Sequence, residues 1–286
     1  MGTNNKIKIV LIAYNPSYII IEVHNNRTKG GMEVGVGYVI ACLISILLWR
    51  IDRQKLIKVV NTKLRKEIRN KYVVQFIYFC ILTLIYIGLA LIKNNEVYNA
   101  ITALIVIDIS NTERKNLNHA DRKHFYDTIS TISRALVCGF IAPLFYIVIL
   151  GNQAAIVFTL LYNLNVDEDF NILGVFLCLA SIIPSLLAQG FLYVIYIFRN
   201  KKLNVQFKGD YASNIWKYPH LNVDILAAYI ESVNFYFHYN NNNMHYLKSY
   251  GDYSGKIDDV CIKDYLSVSY SICFILFNIF IFSMML

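Results

Sequence analysis

The region after Arg134 is an apolar block that ends at Asn163 and contains no charged residue. About 20 apolar residues cross a bilayer as an α-helix, and this block is longer. Pro143 lacks a backbone donor and therefore starts or kinks a helix, while Gly151 followed by Asn152 is a turn signal. The block predicts a helix, a break and a second helix, with polar groups gathered at its ends. A kinked transmembrane helix without chemistry stays open as an alternative.

The composition indicates the class of protein. Hydrophobic residues make up 56% of the 286 residues, charged residues make up 16%, and the mean hydropathy is +0.44. These values are typical of an integral membrane protein and exclude an ordinary soluble domain. The net charge of +8 is concentrated in particular loops, so it indicates membrane topology and contact with anionic lipid, not nucleic-acid binding. We expect a multi-pass protein of the cell membrane, with the lipid bilayer as partner.

The predicted fold is an all-α polytopic membrane protein with about five spans, in a single membrane domain over residues 1–286. Pro143 and Pro184 are expected to kink two of the spans. Residues 203–266 are expected to form a small cytoplasmic segment, outside the membrane, before the last span. The spans are predicted at Val34–Trp49, Val73–Ile92, the central block, Ile172–Phe198 and Val268–Leu286.

Four other stretches are less regular. Ile7–Val23 is apolar but broken at Pro16, so we expect it to lie in the membrane interface or to enter the membrane partway. Arg50–Lys71 is strongly basic and has apolar residues at roughly helical spacing, which predicts an amphipathic helix on the cytoplasmic surface. Tyr98–Ile107 is read as a short tilted span or a re-entrant piece, and Asp108–Ser133 as a polar, solvated loop.

Few residues form a motif that by itself indicates chemistry. The six cysteines form no Cys-x-x-Cys pair, so we interpret them as small buried hydrophobic residues. Asp167, Glu168 and Asp169 lie together after the central block. Three acids can bind Mg²⁺, and an acidic turn between two helices is the alternative.

Several motifs in the second half of the chain carry a family resemblance. GFIAPLFY is followed by a glycine turn, a pair of alanines and Tyr-Asn, and later by KYPHLNVDILAAYIES and a Gly-Asp pair. In this order and spacing the motifs resemble those of the CbiB/CobD family of cobalamin-biosynthesis membrane synthases. The resemblance runs from about Leu117 to the C-terminus. The matching positions lie in Gly139–Tyr146, Gly151, Ala154–Ala155, Tyr162–Asn163, Lys217–Ser232 and Gly251–Asp252.

The resemblance implies an activity and a set of residues. The family's enzymes join aminopropanol, or its phosphate, to adenosylcobyric acid in an ATP-dependent amide-bond formation, which gives cobinamide or its phosphate. The implied partners are thus a corrinoid and an aminopropanol substrate, and the implied cofactors are ATP and Mg²⁺. Lys208, Lys217 or the basic helix could hold phosphate or propionamide groups. The implied substrate-binding residues are Asn163, Asn222, Asp224, Gly251 and Asp252, and the implied metal ligand is Asp167.

The chain also departs from the family pattern. Arg134, Ala135 and Cys138 stand where the family has two carboxylates and an amide. An enzyme that holds a magnesium nucleotide needs such ligands, so the alternative is a non-catalytic membrane protein of the same superfamily with a regulatory or interaction role, similar to AmpE. A solute transporter is disfavoured, because no charged residue lies within a predicted span and transport pathways usually carry them.

The predicted topology leaves a conflict between two site residues. Charge places Asp167 outside the cell and Asn222 inside. If the central block is a re-entrant hairpin, both fall on one side and the later spans reverse. Both topologies stay open at this point.

Overall fold

A computed structural model of the chain describes residues 7–12, 18–23, 36–48, 59–60, 62–64, 66–68, 70–119, 125–164, 171–241, 244–251 and 259–285. The described residues are mostly helical. The chain divides into two compact units, Met1–Val34 and Gly35–Leu286. The prediction of a single membrane domain stays a prediction, and each unit is described by itself.

The first unit contains a β-hairpin. Strands β1 (Ile7–Ile12) and β2 (Tyr18–Val23) pair antiparallel, with Ile7 opposite Val23. The all-α prediction is therefore wrong for this stretch. The physical reason is the density of Ile and Val in both strands, since β-branched residues favour extended structure, and Pro16 falls between the strands in the sequence.

The second unit is built from helices and one further hairpin. In this hairpin β3 (Asn234–Asn241) pairs antiparallel with β4 (Met244–Gly251), with Phe235 opposite Tyr250. The helices are α1 (Val36–Leu48), α2 (Lys71–Ala90), α3 (Glu96–His119), α4 (Phe125–Leu136), α5 (Ala142–Leu150), α6 (Asn152–Leu164), α7 (Asn171–Asn200), α8 (Tyr211–Lys217), α9 (Leu221–Ile230) and α10 (Asp259–Met285).

Four helical segments of the described chain are long and apolar enough to cross a membrane. They are Lys71–Ala90, Thr128–Leu150, Ile172–Asn200 and Val260–Ser283. Each contains or overlaps a predicted span. The remaining predicted span, Val34–Trp49, corresponds to α1, which has only 13 residues and extends about 20 Å at 1.5 Å per residue.

The predicted polar loop at Asp108–Ser133 is wrong. Helix α3 continues through position 108 to His119, and α4 begins at Phe125. On α3, Thr102, Val106, Ile109 and Glu113 are buried, and their spacing of three or four residues places them on one helix face. In residues 108–133 few apolar residues recur at the helical spacing and many polar residues lie between them. The sequence of this stretch is therefore similar to that of a loop.

The central block forms two helices with a break at Gly151, as predicted. Gly151 has a φ of 87°, in a region that glycine adopts without steric cost. A π-helical turn, Val137–Ile141, joins α4 to α5 just before Pro143. Proline cannot donate to the carbonyl four residues earlier, and that carbonyl, on Gly139, accepts a hydrogen bond from Ser110 Oγ at 2.9 Å. Pro184 lies inside the continuous helix α7.

The chain turns back after α7 and places α9 beside it. Tyr193 and Tyr196 of α7 donate hydrogen bonds to the carbonyls of Leu203 and Asn204 at 2.8 and 2.9 Å. Every residue of α9 is buried. The segment 203–266, predicted to be an extramembrane segment, therefore includes a helix that the protein itself encloses.

An ion pair near the end of α9 is expected to make stability depend on pH. Arg199 contacts Glu231 at 3.1 Å and Asp264 at 2.5 Å. Burial raises the pKa of Glu231 from 4.5 to about 7, against the lowering effect of Arg199. The folded state therefore binds the proton of the Glu231 carboxyl more tightly than the unfolded state does. Its contribution to the free energy of unfolding is fully present below pH 4.5 and is lost as the pH rises to about 7.

We therefore expect Glu231→Gln to remove roughly 3 kcal/mol of pH dependence from the free energy of unfolding. The measurement is unfolding in detergent at pH values across this window for the wild type and the variant. Parallel pH profiles for the two proteins would contradict the assignment.

Candidate functional site: a buried polar cluster

A polar cluster lies where α3, α4, α6, α7 and α9 meet, and we call it the Arg134 cluster. Most of its side chains are buried although they are charged or polar, which is costly unless they pair with one another. Its charged or titratable members are Glu113, Arg134, Tyr162, His220 and Asp224, and their polar neighbours are Ser130, Ser133, Cys138, Ser181, Ser185 and Tyr265.

Arg134 and Glu113 form the ionic core of the cluster. Arg134 Nε lies 3.6 Å from Glu113 Oε2, and Arg134 Nη2 donates to Thr131 Oγ1 at 3.1 Å. Tyr162 OH donates to Glu113 Oε1 at 2.5 Å. The Glu113 side chain is only 5% exposed and the Arg134 side chain is 39% exposed. The Arg134 side chain is thus held by the cluster while part of it remains exposed.

Asp224 brings a second carboxyl group to the cluster. Ser130 Oγ donates to Asp224 Oδ2 at 2.9 Å, and the neighbouring Ser133 Oγ lies 3.0 Å from Tyr265 OH. Burial raises the pKa of Asp224 to about 6, against hydrogen bonds from Ser133 and Ser130 and the charge of Arg134, which lower it. The Arg134 charge therefore acts on acids from two different helices, α3 and α9.

His220 and Cys138 contact each other at the start of α9. Cys138 Sγ lies 3.5 Å from His220 Nε2, and Ser185 Oγ lies 3.4 Å from His220 Nδ1. Burial, together with the Arg134 charge, lowers the pKa of His220 to about 4, so the imidazole is neutral near pH 7. An activated cysteine nucleophile relies on a nearby positive charge such as imidazolium, and this pair does not provide one.

The residues that the resemblance assigned to substrate do not all meet. Asp224 belongs to the Arg134 cluster, and Asn163 is buried beside Tyr162 at the end of α6. Asn222 is fully buried but faces α8: it accepts from Asn214 Nδ2 at 3.0 Å and donates to the Tyr211 carbonyl at 3.1 Å. Its side chain holds the corner between α8 and α9.

The other assigned residues lie elsewhere or outside the described residues. Gly251 ends β4 against the carbonyl of Val233. Lys208 Nζ lies 3.4 Å from Ser249 Oγ and 5.8 Å from the centre of the Tyr250 ring, and Lys217 is exposed at the end of α8. Asp167 and Asp252 lie outside the described residues.

Sequence reasoning missed Glu113 and His220 and gave Ser130 and Ser133 no role. Glu113 lies four residues after Ile109 on the buried face of α3, so a helical reading of this stretch would have found it. His220 lies four residues before Asp224, which places both on one face once a helix is recognised.

The described residues do not by themselves fit Mg²⁺. Among them, no group of three or more His, Cys, Asp or Glu side chains converges as a metal site would require. The two acids of the Arg134 cluster, Glu113 and Asp224, both interact with the positive charge of Arg134.

Comparisons with known proteins add no identification. The chain matches no known family, no curated protein and no solved structure.

Proposed function

We propose that this chain is a multi-pass protein of the cell membrane, and a diverged relative of the CbiB/CobD synthases that forms an amide bond between aminopropanol, or its phosphate, and adenosylcobyric acid. One observation carries the proposal. Two separated segments with the family resemblance meet around the Arg134 cluster, through Tyr162 and Asp224. Residues distant in sequence that gather in one polar site are what a binding site requires.

The membrane part of the proposal is supported by the four long apolar helices. Two of them adjoin basic residues: Arg199, Lys201 and Lys202 lie at or after the end of α7, and Lys71 begins α2. Basic residues mark the cytoplasmic ends of spans. We propose α1 as a fifth, shorter membrane helix, which keeps the five-span topology expected from the sequence.

The chemistry proposed for the site rests on Arg134. Amide formation brings a carboxylate and an amine together, and the negative charge of the carboxylate must be neutralised. The Arg134 side chain is partly exposed and its guanidinium contacts Glu113 and Thr131, and a guanidinium binds carboxylate or phosphate in planar geometry. The resemblance implies that ATP would activate the carboxylate, although the described residues by themselves form no Mg²⁺ site.

A second function is favoured by a different observation. Glu113, Arg134 and Asn222 contact other protein groups, and Asn222 is fully enclosed. Buried polar side chains that hydrogen-bond to other protein groups can have a purely structural role. This arrangement supports a non-catalytic, AmpE-like membrane protein with a regulatory or interaction role.

Growth of a strain that lacks the cobinamide-forming step tests the proposal. With cobyric acid supplied, we expect the wild-type chain to restore cobalamin-dependent growth and Arg134→Ala to abolish it. Lys93→Ala, at an exposed position between α2 and α3, should still restore growth. All three proteins must be detected in the membrane fraction. Absence of growth with the wild-type chain in the membrane would refute the synthase and favour the non-catalytic relative.

A further inference from the structure

One member of the Arg134 cluster and one side chain of α7 have buried polar atoms without a hydrogen-bond partner among the described residues. They are Asp224, through Oδ1, and Gln189 of α7, through both Oε1 and Nε2. Each residue is only 5% exposed. Buried polar atoms are nearly always satisfied by protein, water or an ion, because leaving them unsatisfied costs free energy of folding.

The packing of α7 against α9 brings these two residues to one level. Ser185 of α7 contacts His220, and Asn200 at the end of α7 donates to the Tyr229 carbonyl of α9 at 2.9 Å, so the two helices run parallel. Gln189 is one turn after Ser185, and Asp224 is one turn after His220. Each therefore lies about 6 Å further along its helix, at the same height in the interface.

The groups at this level are predominantly oxygen donors. Besides Asp224 Oδ1 and Gln189 Oε1, the hydroxyls of Ser130, Ser133 and Tyr265 face Asp224 from α4 and α10. Oxygen ligands of this kind are preferred by hard cations.

The charge at this level also favours a cation. Among the described residues of the cluster, Glu113 and Asp224 are acidic, Arg134 is basic and His220 is neutral. With both acids ionised the cluster carries one net negative charge. A monovalent cation cancels this charge, whereas a divalent cation would leave a buried positive charge.

We infer that the interface of α7 and α9 contains a binding site for one monovalent metal cation, Na⁺ or K⁺, held by Asp224 Oδ1 and Gln189 Oε1 with the neighbouring hydroxyls. The inference is independent of the synthase proposal, because it concerns the folded protein without substrate. The bound cation should stabilise the folded protein, since a ligand that binds only the folded state raises the unfolding temperature.

The test uses the full chain, purified in detergent at neutral pH without alkali metal. NaCl, KCl and choline chloride are added at equal ionic strength, and unfolding is followed by tryptophan fluorescence. We expect a saturable rise in Tm with Na⁺ or K⁺ and none with choline. Equilibrium dialysis with radioactive sodium or rubidium should find one bound ion per chain.

Variants distinguish this site from general salt effects. Asp224→Asn and Gln189→Leu should each abolish the specific rise in Tm and the tracer binding, whereas Glu231→Gln, at a buried acid outside this site, should retain both. Gln189→Leu keeps the test valid if Asp224→Asn does not fold. Equal effects of choline and alkali ions, or tracer binding unchanged in both variants, would overturn the inference in favour of a protonated Asp224 with bound water.

Discussion

Arg134→Met is expected to lower the free energy of unfolding by about 1 to 3 kcal/mol, because it leaves the buried Glu113 carboxylate without its ion-pair partner. The reason is Glu113, whose carboxylate is 5% exposed and lies 3.6 Å from the Arg134 guanidinium. The variant keeps much of the aliphatic side chain of Arg134 and removes its charge. Denaturant unfolding in a mild detergent measures the change.

Two further variants separate charge from packing at this site. Arg134→Lys retains a positive charge and should lose less stability than Arg134→Met. The double variant Arg134→Met with Glu113→Gln removes both charges and should recover part of the loss, because position 113 then no longer carries a buried, unpaired charge. If the double variant loses more free energy of unfolding than the two single variants lose together, Arg134 and Glu113 do not stabilise each other as an ion pair.

Gly251→Ala is the second large effect that we expect. Gly251 has a φ of 103°, and a Cβ at this position would lie 2.0 Å from the Val233 carbonyl oxygen. Both the backbone conformation and the clash with main-chain atoms oppose any side chain. We expect a loss of about 3 kcal/mol or more in the free energy of unfolding, measured without any substrate.

Two other glycines provide matched controls for Gly251→Ala. Gly209 also has a positive φ, 84°, but a Cβ added there would meet no other atom within 4 Å, so Gly209→Ala carries backbone strain alone. Gly190 is helical and open, so Gly190→Ala should be neutral or slightly stabilising. Equal losses for Gly251→Ala and Gly209→Ala would show that the Val233 contact is not what matters.

The sequence predicted best where apolar residues are continuous. The predicted span Val73–Ile92 corresponds to α2 (Lys71–Ala90), and Ile172–Phe198 corresponds to α7 (Asn171–Asn200). Gly151 marked the break of the central block correctly. Long apolar runs and a turn glycine are local signals, which a single sequence carries in full.

The sequence predicted poorly where tertiary contacts decide the structure. Helix α3 contains a polar stretch, and its buried face becomes evident only once Glu113 is seen to meet Arg134 and Tyr162. Strands β3 and β4 were not predicted, since their pairing depends on contacts with α9 and on aromatic neighbours such as Tyr239 and Tyr250.

The candidate site was predicted in part. Asp224 lies in the polar cluster, whereas Asn222, two residues earlier on α9, bonds to α8 instead. Residues two apart on a helix point in different directions, so a motif match could not show which of the two faces the cluster. Glu113 lies outside every motif, because its role comes from packing between α3 and α4.

The enclosed helix α9 has a consequence for how the chain is made. During synthesis, α2, α4, α5 and α7 are translated before the 10 residues of α9 exist. Yet α9 ends up in the core, where it contacts α4 through Asp224 and α7 through His220. Formation of the early helices and completion of the core are therefore separate events, and the interior stays unfinished until α9 has been translated.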